Sequence, residues 1–393
     1  EPDNLGLPES FSGGYIIDPQ APQGQRMAYG PYQTPPNLVA VMQGSSGFIP
    51  QQGLHVQQSE VCGNCHDLIT PYLDSAGEVA GEFAEQLIYS EWDNSAYAGQ
   101  QSCQDCHMPP AQGSVQLSIT GGPPRQPFYQ HSFVGGNAFM LRMLQQNGEV
   151  LQVTAAPEHF EASIARTTEQ ITTRTARLTI QQPRLDNGLL LAEVVIENIA
   201  GHKFPAGYPS RRTWLHIRVT DQAGNLVFES GAVNQAGAIT GNDNDTDASA
   251  YEPHYALLTS SDQVQIYEGI MVNSDGQVTT RLLRAAAYIK DNRLLPAGFQ
   301  SNPAIPALDP QGEAAQDADF TAGMDTLSLQ IEVSQAQGPF TLEVTLLYQT
   351  IGYRWAQNLM QDATPEALTF GGYYATVPNL PLVAAVAKGS VAP

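Results

Sequence analysis

The stretch EVCGNCHDL (60–68) places Cys62 and Cys65 three positions apart with His66 directly behind, and SCQDCHMPP (102–110) repeats the arrangement at Cys103, Cys106 and His107. These four are all the cysteines of a 393-residue chain, so none is left for a structural disulfide. A thioredoxin-type redox centre needs one such pair at a helix start and has no use for the trailing histidines. A four-cysteine zinc site usually separates its pairs by about 15 to 20 residues; the interval from Cys65 to Cys103 is about twice that. Covalent c-type haem accounts for every position: the two thiols form thioethers to the vinyl groups, and the next residue brings its imidazole to the iron. The doubled motif therefore predicts two haems, with Cys62, Cys65, Cys103 and Cys106 as attachment points and His66 and His107 as proximal ligands.

Thioether attachment happens outside the cytoplasm, so the chain is expected to be exported, to the periplasm or the cell surface. Its start at Glu1 fits a processed form. No run approaches the roughly eighteen apolar residues of a membrane span. The formal charge is −22, from 39 acidic against 17 basic residues, which sets the chain's long-range field against nucleic acid.

A haem iron with one protein ligand keeps a face open for small molecules; a second strong ligand closes it and leaves electron transfer. Three histidines stand out for that second position. His55 lies seven residues ahead of Cys62 on a polar, extended approach, where a solvated histidine is the plain alternative. His131 sits in YQHSFVGGNAFMLRML, where Gly135 and Gly136 let backbone approach a flat group closely and an apolar helix follows. His202 occupies the Gly/Pro-rich loop of ENIAGHKFPAGYPSRR and is a reserve distal ligand. His216 alternates with apolar neighbours in TWLHIRV and reads as a face or core histidine, His159 reads as solvated, and His254 carries no signal either way.

These segments resemble bacterial multihaem c-type cytochromes related to the cytochrome c554 type. The resemblance rests on HVQQSEVCGNCHDL, EWDNSAYAGQQSCQDCHMPP, HSFVGGN and GHKFPAGYPSRRTWL, and extends through GNDNDTDASAYEPHY and KDNRLLPAGF. It implies that His55 and His131 are distal ligands and that His202 lies near haem. Relatives often carry more than two haems.

The rest of the chain divides by pattern into an α+β multidomain protein. Residues 1–150 are expected to form a dihaem domain, mostly irregular and helical, with helices over GEFAEQLIYSEWDNSAYA and NAFMLRMLQQ and with the porphyrins as its core. A connecting helix spans 151–174. From 175 to 350 the period changes to two. ARLTIQQPRLDNGLLLAEVVIENI reads as strand, Asn-Gly turn, strand; RTWLHIRVTDQAGNLVFES and DTLSLQIEVSQAQGPFTLEVTLLYQ repeat the layout, predicting an antiparallel β-sandwich with insertions. A helix over YRWAQNLM and an irregular tail complete 351–393.

Asp243, Asp245 and Asp247 in GNDNDTDAS alternate like the start of a calcium loop, but the glycine and glutamate of an EF-hand are absent. A solvated acidic loop is the first reading and calcium the second. Three functions follow from two haems: electron transfer between redox partner proteins or to an extracellular acceptor, a head-to-tail homopolymer that conducts, or a dihaem enzyme with one open haem, such as a peroxidase or small-oxyanion reductase. The N-terminal segment LGLPESFSGGYIIDPQAPQG (5–24) is the piece expected to reach a neighbouring copy or to fold back on its own domain.

Overall fold

The computed structural model describes residues 4–15, 22, 24–119 and 121–392. The chain's contacts divide it into two units: Glu1–Leu68 with Tyr97–Val134, and Ile69–Ala96 with Gly135–Pro393. The fold class is α+β. Among the described residues no helix is long and apolar enough to cross a membrane.

In the first unit, β1 (Met27–Gly30) and β2 (Ile49–Gln52) pair in parallel, Met27 opposite Ile49, across α1 (Pro36–Ser46). Gly47, at φ 76°, ends α1 in the left-handed conformation, its N–H on the Gln43 carbonyl. Helix α2 (Glu60–His66) carries the first cysteine motif. Two parts of 5–24, residues 16–21 and 23, lie outside the described residues. The described part turns back on its own unit: the Ser12 N–H donates to the Asp67 carbonyl (2.9 Å) and the Gly13 N–H to that of Asn64 (2.7 Å).

The chain then leaves for the second unit with most of β3 (Asp67–Leu73), β4 (Val79–Leu87) and α3 (Ile88–Asp93), and returns with α4 (Cys103–His107). Of the helix expected over 81–98, residues 81–87 are strand instead and only Ile88–Asp93 are helical. Asp74 Oδ1 accepts from the Ala76 and Glu78 N–H groups, and Gly77 takes φ 87°, so a tight turn folds β4 onto β3. Phe83, Glu85 and Leu87 are then buried at every second position.

Helices α5 (Ala138–Gln146) and α6 (Pro157–Arg174) follow as expected. A four-stranded sheet runs β5 (Ala176–Asp186), β6 (Leu189–Asn198), β13 (Met324–Glu332), β9 (Leu257–Leu258). Its first hairpin turns at Asn187 (φ 49°) and Gly188 (φ 84°), the left-handed pair that an Asn-Gly turn supplies. The sheet is mixed, because β9 runs parallel to β13. A seven-stranded sheet contains β7 (Arg212–Thr220), β8 (Leu226–Ser230), β10 (Ile266–Val272), β11 (Val278–Thr279), β12 (Ala287–Asp291), β14 (Phe340–Gln349) and β15 (Leu382–Val391). A short helical turn, α7 (Asp243–Thr246), precedes β9, and α8 (Tyr353–Met360) and α9 (Pro365–Tyr374) separate β14 from β15.

Two expectations are corrected here. DTLSLQIEVSQAQGPFTLEVTLLYQ is not a hairpin: β13 pairs with β6, and β14 with β7 and β15, so the two strands belong to different sheets. The tail is not irregular, since β15 pairs with β14 from Phe340–Val391 to Tyr348–Leu382. The inward faces of both sheets meet in one core, where Val194, Ile196, Leu327 and Leu329 join Leu215, Ile217, Val344 and Leu346, all at 2% exposure or less. Trp214 is fully buried beside this core, its indole N–H on the Gly231 carbonyl at 2.9 Å.

Candidate functional site

On a helix, positions i, i+3 and i+4 share a face, so α2 turns Cys62, Cys65 and His66 one way and α4 does the same with Cys103, Cys106 and His107. In α2 that face is the open one: Cys65 and His66 are exposed, while Gly63 and Asn64 between the thiols are buried. Helix α4 starts at a capping box in which Ser102 Oγ accepts from the Asp105 N–H (3.2 Å) and Asp105 Oδ2 from the Ser102 N–H (2.8 Å). Burial works against ionised Asp105, but the Ser102 N–H and hydroxyl and the Tyr129 hydroxyl (3.0 Å) outweigh it and hold the carboxyl below its usual range.

The two motifs are fastened to each other. Ser59, the residue before α2, accepts from the Cys103 N–H (3.0 Å), and Gln104 donates to the carbonyls of Val56 (3.2 Å) and Gln58 (2.8 Å). The neighbouring Cys62 thiol brings the Cys103 thiol down to about 7, while Cys103 and burial push Cys62 up.

His107 has its ring orientation set. Its Nδ1 lies on the Val134 carbonyl, and the Val134 N–H returns a bond to the His107 carbonyl at 3.1 Å. A backbone carbonyl on Nδ1 is the arrangement that makes Nε2 the ligating nitrogen. Val134 was not singled out in the sequence, although it sits in the same HSFVGG segment as His131. Gln130 N–H to Pro109 carbonyl (3.1 Å) and Ala111 N–H to Phe128 carbonyl (2.8 Å) lay the chain before His131 along the residues after α4. His131 itself is exposed, its ring 5.5 Å from that of Phe133. His55 stands on the turn Leu54–Gln57, edge-on to Tyr29 at 5.2 Å. Gly53 makes room for it, since a Cβ there would lie 2.6 Å from His55 Cε1. Both distal candidates thus sit on segments hydrogen-bonded to the second motif or its flank.

His202 lies in the second unit. Its Nδ1 is 2.9 Å from the Lys203 carbonyl, and its own carbonyl accepts from Asn198 Nδ2 at 2.9 Å. The loop is held by a closed set of buried charges: Lys203 on Asp291 (2.7 Å), Asp291 on Arg293 (2.8 Å), Arg293 on Glu91 (3.2 Å), and Glu91 Oε2 on the Lys203 N–H (3.1 Å). His216 reaches Glu229 on the sheet face (3.0 Å), and His159 is exposed on α6. Asp245 forms a buried two-point pair with Arg212 (2.7 and 3.0 Å) and accepts from the Ile239 N–H. The Asp243 N–H donates to Glu252, and Asp247 accepts from Ser249. Among the described residues, the cluster of three metal-ligating side chains is elsewhere, at His254, Asp317 and Asp325.

The first unit has the composition of a body organised by something other than its own side chains. Of its described apolar residues only Val134 is buried, whereas Met27, Tyr29, Val41, Phe48, Leu54, Leu117 and Phe133 stand at 40% exposure or more. Two thiols and an imidazole on one helix face, twice over, exposed at Cys65 and His66 in α2 and half-buried in α4, in a unit whose apolar groups have no apolar core, fit a large flat apolar group with a metal at its centre.

No family model matches the chain, and no curated protein does. Among solved structures, the chain is similar to a penta-haem cytochrome c552 from Thermochromatium tepidum, with 16% identity over 93% of this chain and 68% of that one and a TM-score of 0.49.

Proposed function

We propose that the chain is an exported dihaem c-type cytochrome that transfers electrons between redox partners outside the cytoplasm. The observation that carries this reading is the contact between the two motif helices. Ser59 binds the Cys103 N–H, Gln104 reaches the Val56 and Gln58 carbonyls, and both ligand faces belong to one unit. When bound, the haems supply two one-electron carriers. The chain's residues do the rest. Cys62, Cys65, Cys103 and Cys106 anchor the groups, and His66 and His107 ligate from the proximal side. The Val134 carbonyl fixes the His107 ring, and His55 and His131 close the distal sides, with His202 in reserve. With both sides taken by histidine, no position remains for a substrate, which separates this reading from the open-haem enzyme. Arg212, rather than calcium, is the counter-charge we assign to Asp245.

The test is the visible spectrum of the purified protein. Haem that stays with the polypeptide in acidified organic solvent, and a reduced form unchanged by carbon monoxide, are the expected results. Release of both haems would sink the covalent assignment, and a carbon monoxide shift would move the reading to the open-haem enzyme. The conducting homopolymer is the assembly variant of the same function; sedimentation of the haem-loaded protein at high concentration distinguishes it from a monomer whose N-terminal segment packs on its own unit.

A further inference from the structure

Two irons and two distal histidines can pair in two ways, and the backbone around His107 separates them. Val134 is clamped to His107 at two points: its carbonyl takes the Nδ1 proton, and its N–H returns to the His107 carbonyl at 3.1 Å. Its side chain is buried. An imidazole that ligates through Nε2 keeps Nδ1 on its own side of the porphyrin. Val134 therefore marks the proximal side of the second haem.

His131 is three residues before Val134. Three peptide steps span at most about 11 Å when fully extended, and this segment is not extended. The Ser132 N–H bonds to the Gln130 carbonyl (2.8 Å), and Phe133 takes φ 45°, in the left-handed region. The other end of the segment is pinned as well. The Tyr129 hydroxyl donates to Asp105 of α4 (3.0 Å), and the Gln130 N–H to the Pro109 carbonyl (3.1 Å). A route from the His107 side, past the edge of a porphyrin and back to the iron on its far face is longer than such a loop can follow. His131 is thus on the wrong side of the second haem to stand opposite His107, while its exposed ring is open to the first.

His55 is under no such limit. Its turn is held by Gln104, which donates to the carbonyls of Val56 (3.2 Å) and Gln58 (2.8 Å). Gln104 stands between Cys103 and Cys106, whose thioethers hold a ring by its edge, and from an edge either face is near.

We propose that the two haems exchange distal ligands: His131 closes the iron held by Cys62, Cys65 and His66, and His55 closes the iron held by Cys103, Cys106 and His107. This pairing rests on the bis-histidine reading of the proposed function. Each ring is then gripped by both motifs, since His131 sits on the loop fastened to α4 and His55 on the turn that leads into α2. Neither iron is fully ligated until both segments are in place.

The test uses the full-length haem-loaded protein with isotopically labelled cysteine, whose thioether signals in nuclear magnetic resonance report the two haems separately. Carbon monoxide added to reduced His131→Ala should shift the Cys62 and Cys65 signals and leave those of Cys103 and Cys106 in place; His55→Ala should do the reverse. The opposite pattern overturns the exchange, and so does a shift at neither haem or at both in either variant. If a variant does not fold, the wild type serves. Nuclear Overhauser contacts should run from the His131 ring to the haem of Cys62 and Cys65; contacts to the haem of Cys103 and Cys106, or to neither, overturn the proposal. Thioether signals that shift with carbon monoxide in the unsubstituted protein would sink the bis-histidine reading and the exchange with it, a result that a wrong pairing alone does not give.

Discussion

The two units of this chain achieve compactness by opposite means. The second buries a continuous apolar core between two sheets, with Leu190, Val194, Leu215, Leu342 and Val344 wholly out of water. The first has one buried apolar side chain among its described residues and no charged residue from 27 to 59, and it is fastened by polar contacts such as Ser59 to Cys103 and Gln104 to Gln58. Hydrogen bonds alone contribute only about 1 kcal/mol each, net of the water they replace, so a body built that way needs a further source of cohesion. Attachment points for a large apolar group, the role proposed for the four cysteines, would supply that cohesion to a sequence poor in core residues.

The largest effect should therefore come from the attachment points. Cys62→Ala with Cys103→Ala should leave haem held by one thioether at each site or lost, and the first unit should become open to protease while the second still melts cooperatively. Mass spectrometry and limited proteolysis read both; joint loss of the two units would break the comparison. Next come core and charge changes in the second unit. Leu346→Ala removes a fully buried side chain and should cost about 2–5 kcal/mol. Lys203→Met leaves Asp291 and its neighbours with an uncompensated buried charge, for about 3–5 kcal/mol. Denaturant melts check both, and neither should alter the number of attached haems.

His131→Ala should have little effect on stability. Its expected result is spectroscopic, one haem turning high-spin and able to bind carbon monoxide while the other is unchanged; if neither His131→Ala nor His55→Ala does this, His202 becomes the distal ligand. The smallest effect belongs to the exposed Arg177–Glu197 pair at 3.3 Å, where Arg177→Ala should change stability by about 0.5 kcal/mol or less.

How much of this could be read from the residues varies with the range of the signal. The cysteine motifs are legible because five consecutive positions contain the whole chemistry. The β5–β6 hairpin is legible because Asn187 and Gly188 fix the turn between its strands. The pairing of β13 and β14 is not, since alternation shows that each strand has one buried face without saying which neighbour lies beside it. Over 79–93, apolar residues at Phe83, Leu87 and Ile88 fit a helix as well as a strand, and the Asp74–Gly77 turn decides between them. The buried set Glu91, Lys203, Asp291 and Arg293 is invisible locally, because residues of these types are ordinarily exposed and only the folded chain brings them together.

Strand β15 gives the molecule a vulnerability of a different kind. It covers the outer edge of β14, whose sequence FTLEVTLLYQ is rich in β-branched and apolar residues. A chain cut before Leu382 would expose a ten-residue ladder of unpaired N–H and C=O groups on a sticky strand, a template on which other cut chains could stack. Removal of β15 by a protease should therefore be seen as aggregation of the cut chain.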